Sequence, residues 1–223
     1  MKNNLYDTIA DRWIHGGTVF FYSDPHFGDA ELNPNRVDYP GDDEQVKRIN
    51  SVVGKNDTIV FLGDIGDVNY IKHIRGHKVL VTGNHDTGAT NYKRLKYECA
   101  DLDNFTEECL DYYLNELTGF YKSRDKLCYD DHLFDEVYEG CLFISDKIVL
   151  SHEPIEIPFA LNIHGHSHNI HNGYEDKNHI NVCAEHINYT PVPISAIIKS
   201  GALNKIPQIH RITIDKASEK YQR

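Results

Sequence analysis

Three short apolar runs, each stopped by a cluster of Asp, Asn and His, constrain the fold of this chain more than any other feature. Residues 18–23 (TVFFYS), 58–62 (TIVFL) and 78–82 (KVLVT) are rich in β-branched and aromatic side chains. They are too short for buried helices and read as strands covered on both faces. Between the first two, Val46, Ile49 and Val53 fall on one face of a helix predicted over 42–53, which Asp42 or Asp43 can cap and Gly54 follows. A shorter helix at about 68–74 precedes Gly76 and the third run. This βαβαβ order predicts an α/β fold with a largely parallel sheet. Ligands of open α/β sheets gather at the carboxyl ends of the strands, which is where the polar clusters stand.

The remaining chain has a different texture. Residues 87–135 are Tyr-rich and charged, and Leu102, Phe105, Cys109, Tyr113 and Leu117 recur at spacings of three and four. The pattern predicts a helical insertion. Strand signals return at 141–145, 147–151, 161–164, 179–183 and 209–214, with short turns that suggest a second, more antiparallel sheet. No repeat, low-complexity tract or Pro/Gly linker divides the chain, so 1–223 reads as one domain carrying an insertion at about 87–135.

Composition narrows the function. Lys plus Arg is 23 and Asp plus Glu is 34, so the formal charge is −11, which argues against a nucleic-acid partner. It leaves room for a small phosphorylated substrate, because bound metal ions reverse charge locally. No apolar run is long enough to span a bilayer, and residues 1–9 lack a signal-like apolar core. The five cysteines (Cys99, Cys109, Cys128, Cys141, Cys183) form no C-x-x-C and read as reduced, mostly buried thiols. A cytoplasmic setting without membrane contact follows as the expectation; oligomeric state is left open. Histidine is the outlier, with 14 in all and seven from His152 to His186. That density points to metal or acid–base chemistry.

Five segments place oxygen and nitrogen ligands directly behind apolar strands: Asp24-Pro25-His26, Gly63-Asp64-Ile65-Gly66-Asp67, Gly83-Asn84-His85-Asp86, Ser151-His152 and Gly165-His166-Ser167-His168. Singly, each has an ordinary reading as turn, helix cap or core histidine. As an ordered set they resemble the calcineurin-like metallophosphoesterase superfamily, whose pattern is D-x-H, G-D-x-x-D, G-N-H-[DE], H and G-H-x-H. The likeness covers roughly 19–188. Ser23-Asp24-Pro25-His26-Phe27-Gly28 is similar to a small bacterial and phage branch with S-D-x-H-F-G-H. Asn181-Val182-Cys183 and 188–192 resemble its C-terminal part. Asp29 departs from that branch, which carries a second His there, outside the superfamily's core metal ligands.

The resemblance implies a four-layer α/β/β/α sandwich of two mixed sheets. It also implies two divalent transition-metal ions per chain, manganese first, with iron, zinc or nickel as alternatives. Asp24, His26, Asp64 and His168 would hold one, and Asp64, Asn84, His152 and His166 the other, with Asp64 bridging. Such mixed carboxylate, amide and imidazole sets suit these metals. The implied activity is hydrolysis of a phosphoric ester through attack by a metal-bridging hydroxide. His85 would stabilise charge or protonate the leaving oxygen, and Asp67 would orient its ring or, alternatively, serve as a turn or cap residue. Asp86 stays outside the catalytic set.

The protein Ser/Thr phosphatases of the superfamily carry G-D-x-x-D-R-G and G-N-H-E; here Val68 follows Asp67, and Asp86 stands where they have Glu. Its repair nucleases are longer. The reading chosen is a small phosphodiester or phosphomonoester, a nucleotide among them. The alternatives are a nuclease, a protein phosphatase, or a non-catalytic metal-bearing scaffold. His164, His171, His179 and His186 read as structural or solvated. Lys122, Arg124 and Lys126 read as a solvated helix end, and the tyrosines of the insertion as packing groups.

Overall fold

In a computed structural model, residues 5–87, 133–168 and 178–207 are described. The chain is mixed α/β with two mixed sheets. The first sheet contains β1 (Val19–Tyr22), β2 (Thr58–Phe61), β3 (His77–Val81), β4 (Glu136–Tyr138) and β9 (Val192–Pro193), in the order β4-β3-β2-β1-β9. The pairs among β1 to β4 are parallel and β9 runs antiparallel to β1. The second contains β5 (Leu142–Ser145), β6 (Ile148–Leu150), β7 (Leu161–His164) and β8 (His179–Asn181), in sequence order.

The three apolar runs form β1, β2 and β3, and β1 and β2 are buried at every position because they are covered on both sides. Phe20 and Tyr22 of β1 face one core with Ile59, Phe61 and Leu80, against Val46 and Ile49 of α2 (Asp42–Val52). Val19 and Phe21 point the other way. They join Val60, Leu62, Val79 and Val81 in a second core with Ile144, Ile148, Leu150, Leu161 and Ile163 of the smaller sheet. Strand alternation thus sends one sheet's side chains into two separate cores. The second core also takes Ile9 and Trp13 of α1 (Asp7–Trp13).

Two local expectations change. The smaller sheet was expected to be more antiparallel, yet only β5 and β6 pair that way; β6–β7 and β7–β8 are parallel. Residues 151–160 join β6 to β7 by a crossover rather than a hairpin, long enough to return the chain in the same direction. The cap of α2 is Gly41, with no side-chain hydrogen bond, rather than Asp42 or Asp43. Asp42 instead accepts from the Gly28 amide at 3.0 Å and the Tyr39 hydroxyl at 2.6 Å. The short helix expected at about 68–74 is present, as the 3-10 helix Val68–His73. β4, at Glu136–Tyr138 just past the insertion, was not among the expected strands.

The expected strand at 209–214 and the body of the insertion, with Lys122, Arg124, Lys126 and its tyrosines, lie outside the described residues, as does His171. Of the five cysteines, Cys141 and Cys183 are described and both are free thiols, the first exposed and the second buried. Among the described residues no helix is long and apolar enough to cross a membrane.

The ends of the two sheets are joined. Ser23, just past β1, donates its amide to Val182 and accepts from Ala184, both at 3.0 Å. This seam puts Asp24 at the boundary between the sheets. The β1–β2 ladder also runs on beyond its strands, with His26 donating to the Asp64 carbonyl at 3.1 Å and Phe27 to that of Ile65 at 2.9 Å.

Candidate metal centre

The strand-end loops bring the predicted side chains together. Asp24, His26 and His168 form one group, and Asp64, His152 and His166 a second, each with its ligand atoms within 4.8 Å of one another. Either group could hold a metal ion. Asp64 Oδ2 stands between them, 3.4 Å from His152 Nε2 and 3.6 Å from His26 Nε2. Asn84 joins the second group, its Oδ1 lying 2.8 Å from His152 Nε2 and 3.2 Å from His166 Nδ1.

Several observations show that these atoms suit a cation. Asp24 Oδ1 and His26 Nε2 are buried and make no hydrogen bond. Unpartnered buried polar atoms of this kind are rare and costly, and both point into the first group. In the second, His152 Nδ1 lies 2.7 Å from the Leu62 carbonyl and so carries the hydrogen. Its Nε2 then converges with His166 Nδ1, 3.1 Å away, and Asn84 Oδ1. Atoms so close need a shared hydrogen or a metal ion among them.

The electrostatics agree. Burial would raise the Asp24 carboxyl, but His26, His152 and His168 hold it far below the usual carboxylate range. Asp64 is likewise lowered, against burial, by His152. Burial disfavours charge on His152, yet Asp64 and Asp24 push its imidazole up to about 9. Without a metal, protons on imidazole balance the carboxylates.

Backbone conformation marks the same residues. Asp24, His26, Asp64 and His166 adopt φ of 55°, 45°, 55° and 64°, four of the seven non-glycine residues described with positive φ. Such backbone costs about 1–3 kcal/mol per residue and collects at functional sites. Close packing adds to it: a Cβ on Gly165 would stand 2.2 Å from Asp24 Oδ2, and one on Gly83 2.2 Å from Asp64 Oδ1. Glycine here lets the backbone lie flat against the carboxylates.

The neighbours expected to act divide. His85 is on α3 (Asn84–Thr87) with its side chain 66% exposed. Its ring meets His26 edge to face at 5.5 Å, and its Nε2 is 3.8 Å from Asp64 Oδ2. It therefore lines the open side of the two groups. Asp67 takes the second of its two expected roles in this structure. Its Oδ1 caps the 3-10 helix, accepting from the Asn69 amide at 3.0 Å, and no hydrogen bond or ion pair joins it to His85 among the described residues. The turn-or-cap reading describes it.

Other residues carry more of the site than the sequence suggested. Asp86 is buried and accepts from the amides of Gly83 and Asp64, both at 2.8 Å, and of Ile65 at 3.2 Å, tying two ligand loops together. Burial pushes its carboxyl up to about 6, with Asp64 adding and these amides opposing. Asn162 donates to Ser151 Oγ and accepts from the Ile155 amide, fixing the loop that carries His152. His164 and His179 are buried and meet edge to face at 5.7 Å, and His186 bonds the carbonyls of Ser167 and His168, so all three are structural. Glu185 and Arg36 lie behind His168. A charged residue soon after a strand was the one signal for Glu185, and nothing in the sequence marked Arg36.

No family model and no curated protein matches the chain. Among solved structures it is similar to the protein of unknown function AQ665 from Aquifex aeolicus, with 22% identity and a TM-score of 0.54 over 82% of this chain and 99% of that one. That likeness shows the fold alone. It is also similar to Pseudomonas putida nuclease MPE, with 16% identity and a TM-score of 0.36 over 69% of this chain and 62% of that one, a match too slight to bear on function.

Proposed function

We propose that the chain is a metal-dependent phosphoric ester hydrolase of the calcineurin-like kind, acting on a small phosphodiester or phosphomonoester such as a nucleotide. The observation that carries the reading is Asp64 Oδ2, which faces both ligand groups at once. In this reading Asp24, His26, Asp64 and His168 hold one ion, and Asp64, Asn84, His152 and His166 the other. Two divalent transition-metal ions, manganese first among the candidates, would supply Lewis-acid activation of water and of the phosphoryl oxygens.

The chain's own part is to place and protonate. His85, exposed beside the bridging carboxylate, donates a proton from its ring to the leaving oxygen. Asp86 keeps the 64–65 and 83–86 loops in register, and Asp67 supports them by capping the helix that follows. Gly83 and Gly165 leave no space between backbone and ligands, which holds the carboxylates in one geometry.

The net charge of −11 suits a small substrate rather than a nucleic acid. The free thiols of Cys141 and Cys183 suit a reducing compartment such as the cytoplasm. The proposal includes a single domain over 1–223 with its insertion at about 87–135, and a second helical layer that completes a four-layer sandwich.

The test is a matrix of metals against chromogenic phosphodiesters and phosphomonoesters, run alongside elemental analysis. Wild type should hold two ions and turn over at least one ester; Asp64→Asn should lower occupancy at both positions. Two ions retained in Asp64→Asn with activity intact would refute the bridge.

A further inference from the structure

A buried ion pair lies behind one ligand group and belongs to none of the strand-end motifs. The Arg36 side chain is 1% exposed and that of Glu185 2%, with Nη2 donating to Oε2 at 2.6 Å. The same guanidinium donates to the carbonyls of Asp24 at 2.7 Å and Pro25 at 3.0 Å. The other carboxylate oxygen, Oε1, lies 2.6 Å from His168 Nδ1. A buried ion pair is seldom more stabilising than apolar side chains in its place, so its reason is to be sought in what it touches.

Arg36 can only donate. With Oε2 taken by Arg36, Glu185 offers Oε1 to His168 as an acceptor, and the imidazole answers with Nδ1–H. That leaves Nε2 facing Asp24 Oδ1, 3.5 Å away. We infer that Glu185, held by Arg36, is a positioning residue. It fixes His168 in the tautomer and orientation that frees Nε2 for a metal ion, while Arg36 secures the 24–26 loop bearing the other two ligands of that group. The inference rests on the metal reading above.

The second group is built differently. Its His152 gives Nδ1–H to a neutral acceptor, the Leu62 carbonyl, at 2.7 Å. The Arg36–Glu185 pair therefore acts on one metal position and leaves the other alone. Metal-binding histidines commonly lean on such partners, and losing one typically costs about 10–100-fold in affinity.

The experiment is nitrogen NMR of ring-labelled histidines in metal-free protein, at alkaline pH where the rings are neutral, together with equilibrium dialysis against Mn²⁺. Wild-type His168 should carry its proton on Nδ1. In E185Q the new amide turns its oxygen to Arg36 and its NH₂ to His168. Nδ1 must then accept, and the proton moves to Nε2. Mn²⁺ affinity should fall about 10–100-fold at one position and stay at the wild-type value at the other. E185D keeps the ion pair but withdraws from His168; it should give a mixed tautomer, and it serves in place of E185Q if that variant does not fold.

A wild-type His168 protonated on Nε2 overturns the inference without any variant. An unchanged tautomer with equal loss at both positions also overturns it, since the pair would then be merely structural. Wild type that binds no metal refutes the metal reading instead, and the tautomer result alone then decides on Glu185.

Discussion

Gly165→Ala probes the site without touching a proposed ligand. Gly165 has an ordinary φ, so the added methyl brings no backbone strain; its effect is steric. The new Cβ would stand 1.9 Å from Ser23 Oγ and 2.2 Å from Asp24 Oδ2, where ordinary contact begins at 3.4 Å. If Asp24 gives way, its oxygen must retreat by about 3.4 − 2.2 = 1.2 Å. The Ser23 hydroxyl must yield as well, by about 3.4 − 1.9 = 1.5 Å, at the cost of its 2.8 Å bond to Leu62, while its amide and carbonyl stay tied into the seam between the sheets. Asp24 Oδ2 in turn accepts from the His166 amide at 2.8 Å, so the retreat breaks that bond.

Overpacking of this sort costs about 1–3 kcal/mol. For a chain of this size that lowers Tm by about 2–12 °C. The displacement is more than twice the roughly 0.5 Å that a functional site tolerates. Mn²⁺ affinity should therefore fall by at least about tenfold at the position built by Asp24, His26 and His168. Thermal unfolding of metal-free protein and equilibrium dialysis with elemental analysis read the two effects. Gly140→Ala is the control: at φ 75°, with nothing within 4 Å, it should lose about 1 kcal/mol to backbone strain and keep wild-type metal binding. Wild-type affinity in Gly165→Ala would refute the claim that close backbone packing sets the carboxylate.

Metal uptake should release protons, because His152, raised from 6.5 to about 9, is protonated at neutral pH without a metal. Its share of metal-free stability is complete below about pH 6.5 and lost as pH rises to about 9, whereas apparent metal affinity climbs over the same window. Calorimetry in buffers of different ionisation enthalpy counts the protons, and an affinity flat from pH 6.5 to 9 contradicts the assignment. His85→Ala should keep both ions. It should lose about 10²–10⁴-fold on alkyl phosphoesters but much less on nitrophenyl esters, whose leaving group needs little protonation; equal losses on both rule out the general-acid role.

The legible parts of the fold were those set by local pattern. Strands β1 to β3 announce themselves because burial on both faces demands unbroken apolar runs. The strand-end loops do so because Asp, Asn and His recur directly behind one apolar strand after another. β4 escaped because Glu136–Tyr138 is half-buried and polar, its place fixed by pairing with β3. β9 escaped because a two-residue edge strand ending in Pro193 carries no pattern.

The parallel pairing in the smaller sheet was hidden in crossover lengths rather than in strand composition. Arg36 and Glu185 are 149 residues apart and meet only through the tertiary fold. Asp67 was assigned a partner by motif, and its bond to the Asn69 amide is a local contact that the motif does not specify.

The left-handed backbone at Asp24, His26, Asp64 and His166 has a consequence for the life of the protein in a cell. At about 1 kcal/mol or more each, the four together approach the whole stability margin of a small domain, about 5–15 kcal/mol. Glycine would relieve the strain at any of them but supply no ligand. If the two groups hold ions as proposed, those ions act as folding ligands: at a free concentration 100 times the Kd, one ion returns about 2.7 kcal/mol. Starvation for metal should then lower the steady-state abundance of the protein through proteolysis, before any question of catalysis arises. Substitutions at these positions should likewise shift abundance by amounts that depend on the growth medium.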